Sequence, residues 1–294
     1  MNSSAAQSVA IDASASAGRE FDFSDQDFEK VRSLIYARAG ISLGPAKRDM
    51  VYSRLARRLR ALGLRRFCDY LEMLQRNTED EEWEAFTNAL TTNLTSFFRE
   101  AHHFPILAEH LFKHPGRSST IWCCASSTGE EPYSIAITVV EAFGSFTPPV
   151  NIIATDIDTQ VLNKAEAGVY PMERLEKMSP ERVRRFFLKG SGGREGYAKV
   201  RPELQKLISF KRLNLLDGGW PVRGPLDVIF CRNVMIYFDK PTQAKILRRF
   251  APLLREDGLL FAGHSESLFH VSDVFQLLGR TVYRLTGPQA AGRE

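Results

Sequence analysis

Cysteine is scarce in this sequence, and so are long apolar runs and any large excess of one charge. Four cysteines, Cys68, Cys123, Cys124 and Cys231, occur in 294 residues, and none has metal-ligand spacing. Cys123 and Cys124 are adjacent in an apolar run that reads as a strand, so their side chains should point to opposite faces. Reduced thiols in a cytoplasmic protein are expected, not a disulfide framework. No stretch approaches the roughly 20 apolar residues that a transmembrane helix needs, so no membrane insertion is expected. The first residues lack a basic region followed by an apolar core, so no secretory signal is expected. Lys+Arg number 39 and Asp+Glu 35, a net charge of +4. That small excess does not demand a nucleic-acid partner. What remains is an ordinary globular composition, 44% hydrophobic and 25% charged, on a chain long enough for one large domain or two ordinary ones.

The residues up to about Glu20 are Ala- and Ser-rich without an apolar period and read as a disordered tail. Order is expected from Ser24, which with Asp27 forms a capping-box pattern. Phe28, Val31, Leu34 and Ile35 then share a helical face, and Gly40 suits the C′ position. A second helix follows Pro45 with Val51, Leu55, Leu59 and Leu62 as its buried stripe. Helices around 67–75 and 78–90 follow, the latter with a Thr78/Glu81 capping pattern. Residues 21–91 therefore read as an all-helical domain. After about Pro115 the pattern changes to strands alternating with helices. Strands are expected at 120–125, 150–154, 208–213, 226–231 and 259–262, and helices at 132–143, 159–167 and 241–254. A hairpin over 275–285 should turn at Gly279-Arg280. This alternation predicts an α/β domain over 92–294 with a parallel sheet and right-handed crossovers. The forty or so residues between Gly168 and Ile208 are too many for a simple connection. Ser179-Pro180 can start a helix, and the glycines at 190–196 can turn a hairpin with Tyr197, Lys199 and Arg201 alternating against Ala198 and Val200. An inserted β-subdomain is expected over about 169–207.

The chemistry-bearing residues gather at strand ends, where ligands of doubly wound sheets bind. The turn after the first strand holds Ala125, Ser126, Ser127 and Gly129, then Glu130 and Glu131. It is neither a P-loop nor GxGxxG. Acid at this turn favours a cofactor with a cationic group over one with phosphates. Asp156, at the tip of the second strand, can accept both hydroxyls of a ribose. Together Glu130 and Asp156 describe a nucleoside with an amino-acid tail and no phosphates, and S-adenosylmethionine fits. The segment Asn93–Glu100 interleaves polar Asn93, Thr95 and Arg99 with two phenylalanines, a composition suited to a lid that offers Arg99 to a carboxylate. The fourth strand runs into Phe230-Cys231-Arg232-Asn233. It has neither the [DNS]-Pro-Pro-aromatic tetrad of amine methyltransferases nor a Pro-Cys nucleophile, so Cys231 reads as a packed thiol. His103 and His110 share a helical face without a third ligand, so no metal is expected. Lys47, Arg54, Arg57 and Arg58 line one side of the second helix as a basic ridge, suited to nucleic acid or an acidic protein.

Taken together, the stretches NLTSFFRE (93–100), ASSTGEEPYSIAI (125–137), ATDID (154–158), LNLLD (213–217), FCRNVMIYFD (230–239) and DGLLFAGHSE (257–266) resemble the CheR-type chemotaxis receptor methyltransferases. The resemblance spans about residues 21–286. It implies a class I methyltransferase (Rossmann-like) sheet, an all-α N-terminal domain and a small inserted antiparallel β-subdomain. It implies methyl transfer from S-adenosylmethionine to glutamate carboxylates of chemoreceptors in adaptation. By motif, Asn93, Thr95 and Arg99 would contact the cofactor's methionine end, Glu130 its amino group and Asp156 its ribose. Asn214 and Leu215 would flank the adenine, Arg232 and Asn233 would line the methyl-donor side, and Tyr237, with Arg99, would serve the reacting centre. The basic ridge would meet the receptor. Some members also dock a receptor's C-terminal tail peptide on the β-subdomain, and GSGGREG resembles their longer loop. This points to Gly192, Gly193, Arg194 and Lys199. A monomer that binds no nucleic acid is expected.

The residue types suit that reaction. A glutamate with a pKa near 4.3 is already ionised at pH 7, so no general base is required and none is found. Two other readings stay open: a nucleic-acid methyltransferase, which would also use the basic ridge, and a non-catalytic scaffold that binds the cofactor.

Overall fold

The computed structural model describes residues 19–76, 81–113 and 116–287. The expected tail up to about Glu20 and Thr78 of the second capping pattern lie outside these, save Arg19 and Glu20. The chain divides into two compact units, 1–90 and 91–294.

In the first unit the described elements are helical: α1 (Asp25–Ala39), a 3-10 turn (Pro45–Lys47), α2 (Arg48–Leu62), α3 (Phe67–Arg76) and α4 (Glu81–Leu90). The Ser24/Asp27 capping box closes α1 at one end, and left-handed Gly40 closes it at the other. On α2 the buried stripe is Val51, Leu55, Ala56 and Leu59. Leu62 is 40% exposed, against expectation, because the helix ends there in a left-handed cap at Gly63.

The second unit begins with α5 (His103–Phe112), β1 (Ser119–Cys123), α6 (Glu130–Phe143), β2 (Val150–Asp156) and α7 (Thr159–Ala167). The insert follows: β3 (Val169–Pro171), α8 (Pro180–Phe186), β4 (Phe187–Lys189), β5 (Tyr197–Val200) and α9 (Pro202–Gln205). Then come β6 (Ile208–Arg212), β7 (Leu226–Cys231), α10 (Lys240–Phe250), β8 (Leu254–Ala262), β9 (Phe275–Gly279) and β10 (Val282–Leu285). The main sheet has seven strands in the order β6-β2-β1-β7-β8-β10-β9, and the insert forms a three-stranded sheet, β3-β5-β4. The strands from β6 to β8 are parallel, and β10 is antiparallel to both its neighbours. The insert's strands are antiparallel. From β1 the chain runs to β2 on one side and returns later to β7 on the other. The crevice at the carboxyl ends of β1 and β7 is thus the topological switch point.

Alternating side chains of β1 feed two cores, Ile121 and Cys123 on one face, Trp122 and Cys124 on the other. The two adjacent thiols therefore point opposite ways, as the strand period requires. Several boundaries differ from expectation. The α6 helix starts at Glu130 and not at Pro132; proline is tolerated there because the first N–H groups of a helix lack intrahelical partners. The α10 helix stops at Phe250, and β8 begins at Leu254 and not at 259. The last hairpin turns at Arg280 and Thr281, both with positive φ, as a two-residue primed turn requires. The short strand β3 carries too few residues to show a period.

Candidate functional site

The turn leaving β1 is the best-defined part of the crevice. Ser127 (φ +48°) and Gly129 (φ +97°) are left-handed. A Cβ on Gly129 would meet the Tyr170 hydroxyl at 2.6 Å and the Ala165 Cβ at 2.9 Å, so only glycine lets the turn pass this close to the insert and to α7. The Glu130 side chain is fully buried. Its Oε2 accepts from the Thr128 hydroxyl at 2.6 Å, and its Oε1 pairs with the Arg174 guanidinium. The Tyr170 hydroxyl donates to the Thr128 carbonyl at 2.7 Å. Two residues of the insert therefore hold this turn, which the sequence reading did not foresee.

Asp156 closes the next strand. Its Oδ2 accepts the Ser127 N–H at 2.8 Å and its Oδ1 the Asp158 N–H at 3.0 Å. Burial pushes its carboxyl up to about pKa 6 against these stabilising bonds. Asp158 caps α7, accepting the Gln160 N–H at 2.9 Å through Oδ1. Its Oδ2 accepts the Asn93 amide at 2.8 Å and the Thr91 hydroxyl at 2.9 Å. The Asn93 carbonyl in turn accepts the Ser127 hydroxyl at 3.0 Å. Asn93 is thereby fixed at the ends of β1 and β2, with Thr95 half-buried just beyond it.

The turn after β6 is seated by the Leu213 N–H on the Asp156 carbonyl, 2.9 Å. Asn214 Oδ1 accepts the Leu216 N–H at 3.0 Å, and Leu215 is buried. On the other side, β7 ends in Arg232 and left-handed Asn233 (φ +58°). The Arg232 side chain is fully buried, donates to Glu131 at 2.6 Å and to the Arg99 carbonyl at 2.5 Å, and forms an ion pair with Glu100 at 3.2 Å. Burial raises the Glu131 carboxyl against the pull of Arg232. Arg99 itself is half-buried and donates to the Leu94 carbonyl at 2.9 Å. The Tyr237 hydroxyl donates a long bond, 3.4 Å, to the Thr92 carbonyl.

The structure thus gathers Asn93, Glu130, Asp156, Asn214, Leu215 and Asn233 at the ends of four adjacent strands. Arg232 lies in the wall of the site with its side chain turned inward, so what it can present to a ligand is backbone. Cys231 is buried, its thiol pushed up by burial. The His103 Nε2 donates to the Arg280 carbonyl at 2.8 Å, and burial pushes this ring down to about pKa 4. Among the described residues, no group of three His, Cys, Asp or Glu could hold a metal ion.

The family model described as "CheR methyltransferase, SAM binding domain" matches residues 93–284, and that described as "CheR methyltransferase, all-alpha domain" matches residues 26–91. The chain belongs to the CheR methyltransferase family. Among curated CheR methyltransferases, it is 57% identical over 263 residues to the chemotaxis protein methyltransferase of Klebsiella aerogenes, covering 90% of each chain. It is 55% identical over 269 residues to chemotaxis protein methyltransferase 2 of Pseudomonas aeruginosa, covering 90% of this chain and 95% of that one. It is 54% identical over 263 residues to the chemotaxis protein methyltransferase of Escherichia coli, covering 90% and 92%. The resemblance read from the motifs, the fold class and the S-adenosylmethionine-dependent methyltransferase activity in chemotaxis are borne out. Methylation of glutamate is the known role of CheR methyltransferases.

The residues present fit S-adenosylmethionine. The crevice offers buried carboxylates on small-residue turns, which suit an ammonium and a ribose diol. It does not offer the backbone cradle and lysine of a nucleotide-phosphate site. The Ser126 hydroxyl, buried at the carboxyl end of β1, has no protein partner.

The residues expected to meet protein partners lie elsewhere. On α2, Arg54 donates to the Ala89 carbonyl at 3.2 Å. Arg58 forms a two-bond pair with buried Glu82, which also accepts the Tyr70 hydroxyl at 2.7 Å. Lys47 and Arg57 are exposed. In the insert Gly192, Gly193, Arg194 and Lys199 are exposed, with Gly192 left-handed at φ +59°. Sequence reasoning missed Asp158, Glu100 and Glu266 as supports. All three stand inside motifs it quoted, but their partners are distant in sequence.

Proposed function

We propose that this enzyme forms methyl esters on glutamate side chains of chemoreceptor cytoplasmic domains, using the strand-end cluster as its cofactor site. What supports the reading most is the pair of buried acids, Glu130 and Asp156, at the switch point. When bound, S-adenosylmethionine supplies a methyl group activated on a sulfonium. Glu130 holds the amino group, Asp156 the ribose, and Asn214 and Leu215 flank the base. Asn93, Thr95 and Arg99 serve the methionine end, the Arg232 and Asn233 backbone lines the methyl side, and Tyr237 orients the acceptor. The acceptor carboxylate is already ionised at neutral pH, so the protein's task is alignment and exclusion of water.

The division into a tail (1–20), a helical domain (21–91) and a catalytic domain (92–294) with an insert at about 169–207 goes with this reading. So does a cytoplasmic monomer that binds no nucleic acid. Among the described residues, no helix is long and apolar enough to cross a membrane. Exposed Lys47 and Arg57 suit an acidic methylation region, while Arg54 and Arg58 support it from within α2. The insert's hairpin suits strand addition by a receptor tail peptide.

The test is incubation with labelled S-adenosylmethionine and receptor, followed by alkali. Volatile labelled methanol is expected, because esters hydrolyse. Label retained after alkali would indicate N-methylation, and no incorporation would indicate a binding scaffold.

A further inference from the structure

The segment between β7 and α10 carries Asn233 and Tyr237, yet it is an irregular turn with a short 3-10 stretch at Met235–Tyr237. Such a turn has few bonds of its own. Two buried side chains from other elements supply them. Glu266, beyond the end of β8, is 5% exposed. Its Oε2 accepts the N–H groups of Asn233, at 2.9 Å, and of Gly263. Its Oε1 accepts the Met235 N–H at 2.7 Å, and the Ile236 N–H also bonds this carboxylate. From the other side Gln243 of α10, 8% exposed, donates to the carbonyls of Met235 at 2.8 Å and Phe238 at 3.0 Å.

We infer that Glu266 is a positioning residue for methyl transfer: its carboxylate, with Gln243 opposite, holds the turn that sets Asn233 and Tyr237 at the reacting centre. This rests on the methyltransferase site proposed above. Both carboxylate oxygens receive N–H donors, so the site is acceptor-only. A glutamine there must turn its NH2 toward at least one N–H, whichever way the amide lies. The packing is close: a Cβ on Gly263 would meet Asn233 Nδ2 at 2.4 Å, Glu266 Oε2 at 2.7 Å and the Asn233 nitrogen at 2.8 Å. Glu130, at the start of α6, and Asp156, at the end of β2, are the groups proposed to set cofactor affinity, and neither bonds this carboxylate.

Glu266→Gln is therefore expected to lower kcat at least tenfold in receptor methylation. KM for the receptor and Kd for S-adenosylhomocysteine should each move less than about threefold, while the melting temperature falls by a few degrees because a buried N–H loses its acceptor. Gly263→Ala perturbs the same contact without altering charge and should give the same kcat-selective loss. It decides the matter if Glu266→Gln does not fold. Wild-type kcat in either folded variant overturns the proposal. So does a kcat loss matched by an equal loss of S-adenosylhomocysteine affinity and of thermal stability, since that marks a scaffold role alone. Absence of methanol-releasing esters with the wild-type enzyme would instead overturn the glutamate reading, whatever the variants do.

Discussion

At the residue scale the clearest consequence is at Asp156. Its carboxyl is pushed up to about pKa 6 by burial. The folded protein therefore holds this proton more tightly than the unfolded chain. The associated stability is complete below the ordinary aspartate range and is lost as pH rises through 6. An ionised Asp156 at neutral pH accepts the Ser127 and Asp158 N–H groups and keeps further acceptor capacity on its two oxygens, which the hydroxyls of a ribose can use. Affinity for S-adenosylhomocysteine should be flat above pH 7 and fall by up to about tenfold by pH 5. Asp156→Ala should weaken binding by about 1.5–3 kcal/mol and remove this pH step. Calorimetry across pH checks both. The place of Asp156 at the end of its strand was legible in the sequence. Arg232 was not legible as a buried brace, because its partner Glu131 lies 101 positions away. Sequence patterns report local periodicity and cannot report which distant carboxylate an arginine will meet.

At the element scale, α2 separates two kinds of arginine that look alike in sequence. Arg58→Ala leaves buried Glu82 and the Tyr70 hydroxyl with one partner fewer, so it should cost about 1–3 kcal/mol of stability, seen in denaturant melts. Lys47→Glu with Arg57→Glu should leave stability unchanged and slow receptor methylation at low salt, an effect that fades as salt screens the charges. Equal rates for wild type and double variant at low salt would remove α2 from receptor recognition. In the insert, Gly192 has φ +59°, whereas proline is locked near −65°. Gly192→Pro with Gly193→Pro should therefore abolish binding of a receptor tail peptide while leaving S-adenosylhomocysteine affinity intact, because neither glycine approaches the turn at Glu130. Titration with tail peptides of the organism's own receptors decides it. If wild type binds none near millimolar concentration, the insert is not a tether. Elements with strong local signals were legible to the residue. The α7 helix over Thr159–Ala167 is one, capped by Asp158 and closed by Gly168. The early part of β8 was hidden, because Arg255, Glu256 and Asp257 look like a loop when read without their neighbours.

At the scale of the whole molecule, strand order sets a sequence of events in time. The strand that seals β8, β10, comes last among the described strands: Val282–Arg284 pair with Leu259–Phe261. The turn beside it also receives the His103 ring, 177 positions upstream. While a ribosome adds about 5–20 residues per second, β8 waits with an open apolar edge, the geometry most prone to pairing with another chain. A chain stopped after residue 274 keeps every residue proposed for the cofactor, yet it should collect in the insoluble fraction, whereas the full chain stays in solution. The vulnerable interval for this enzyme is thus the one between the making of β8 and of β10, when its chemistry is already encoded and its sheet is not yet closed.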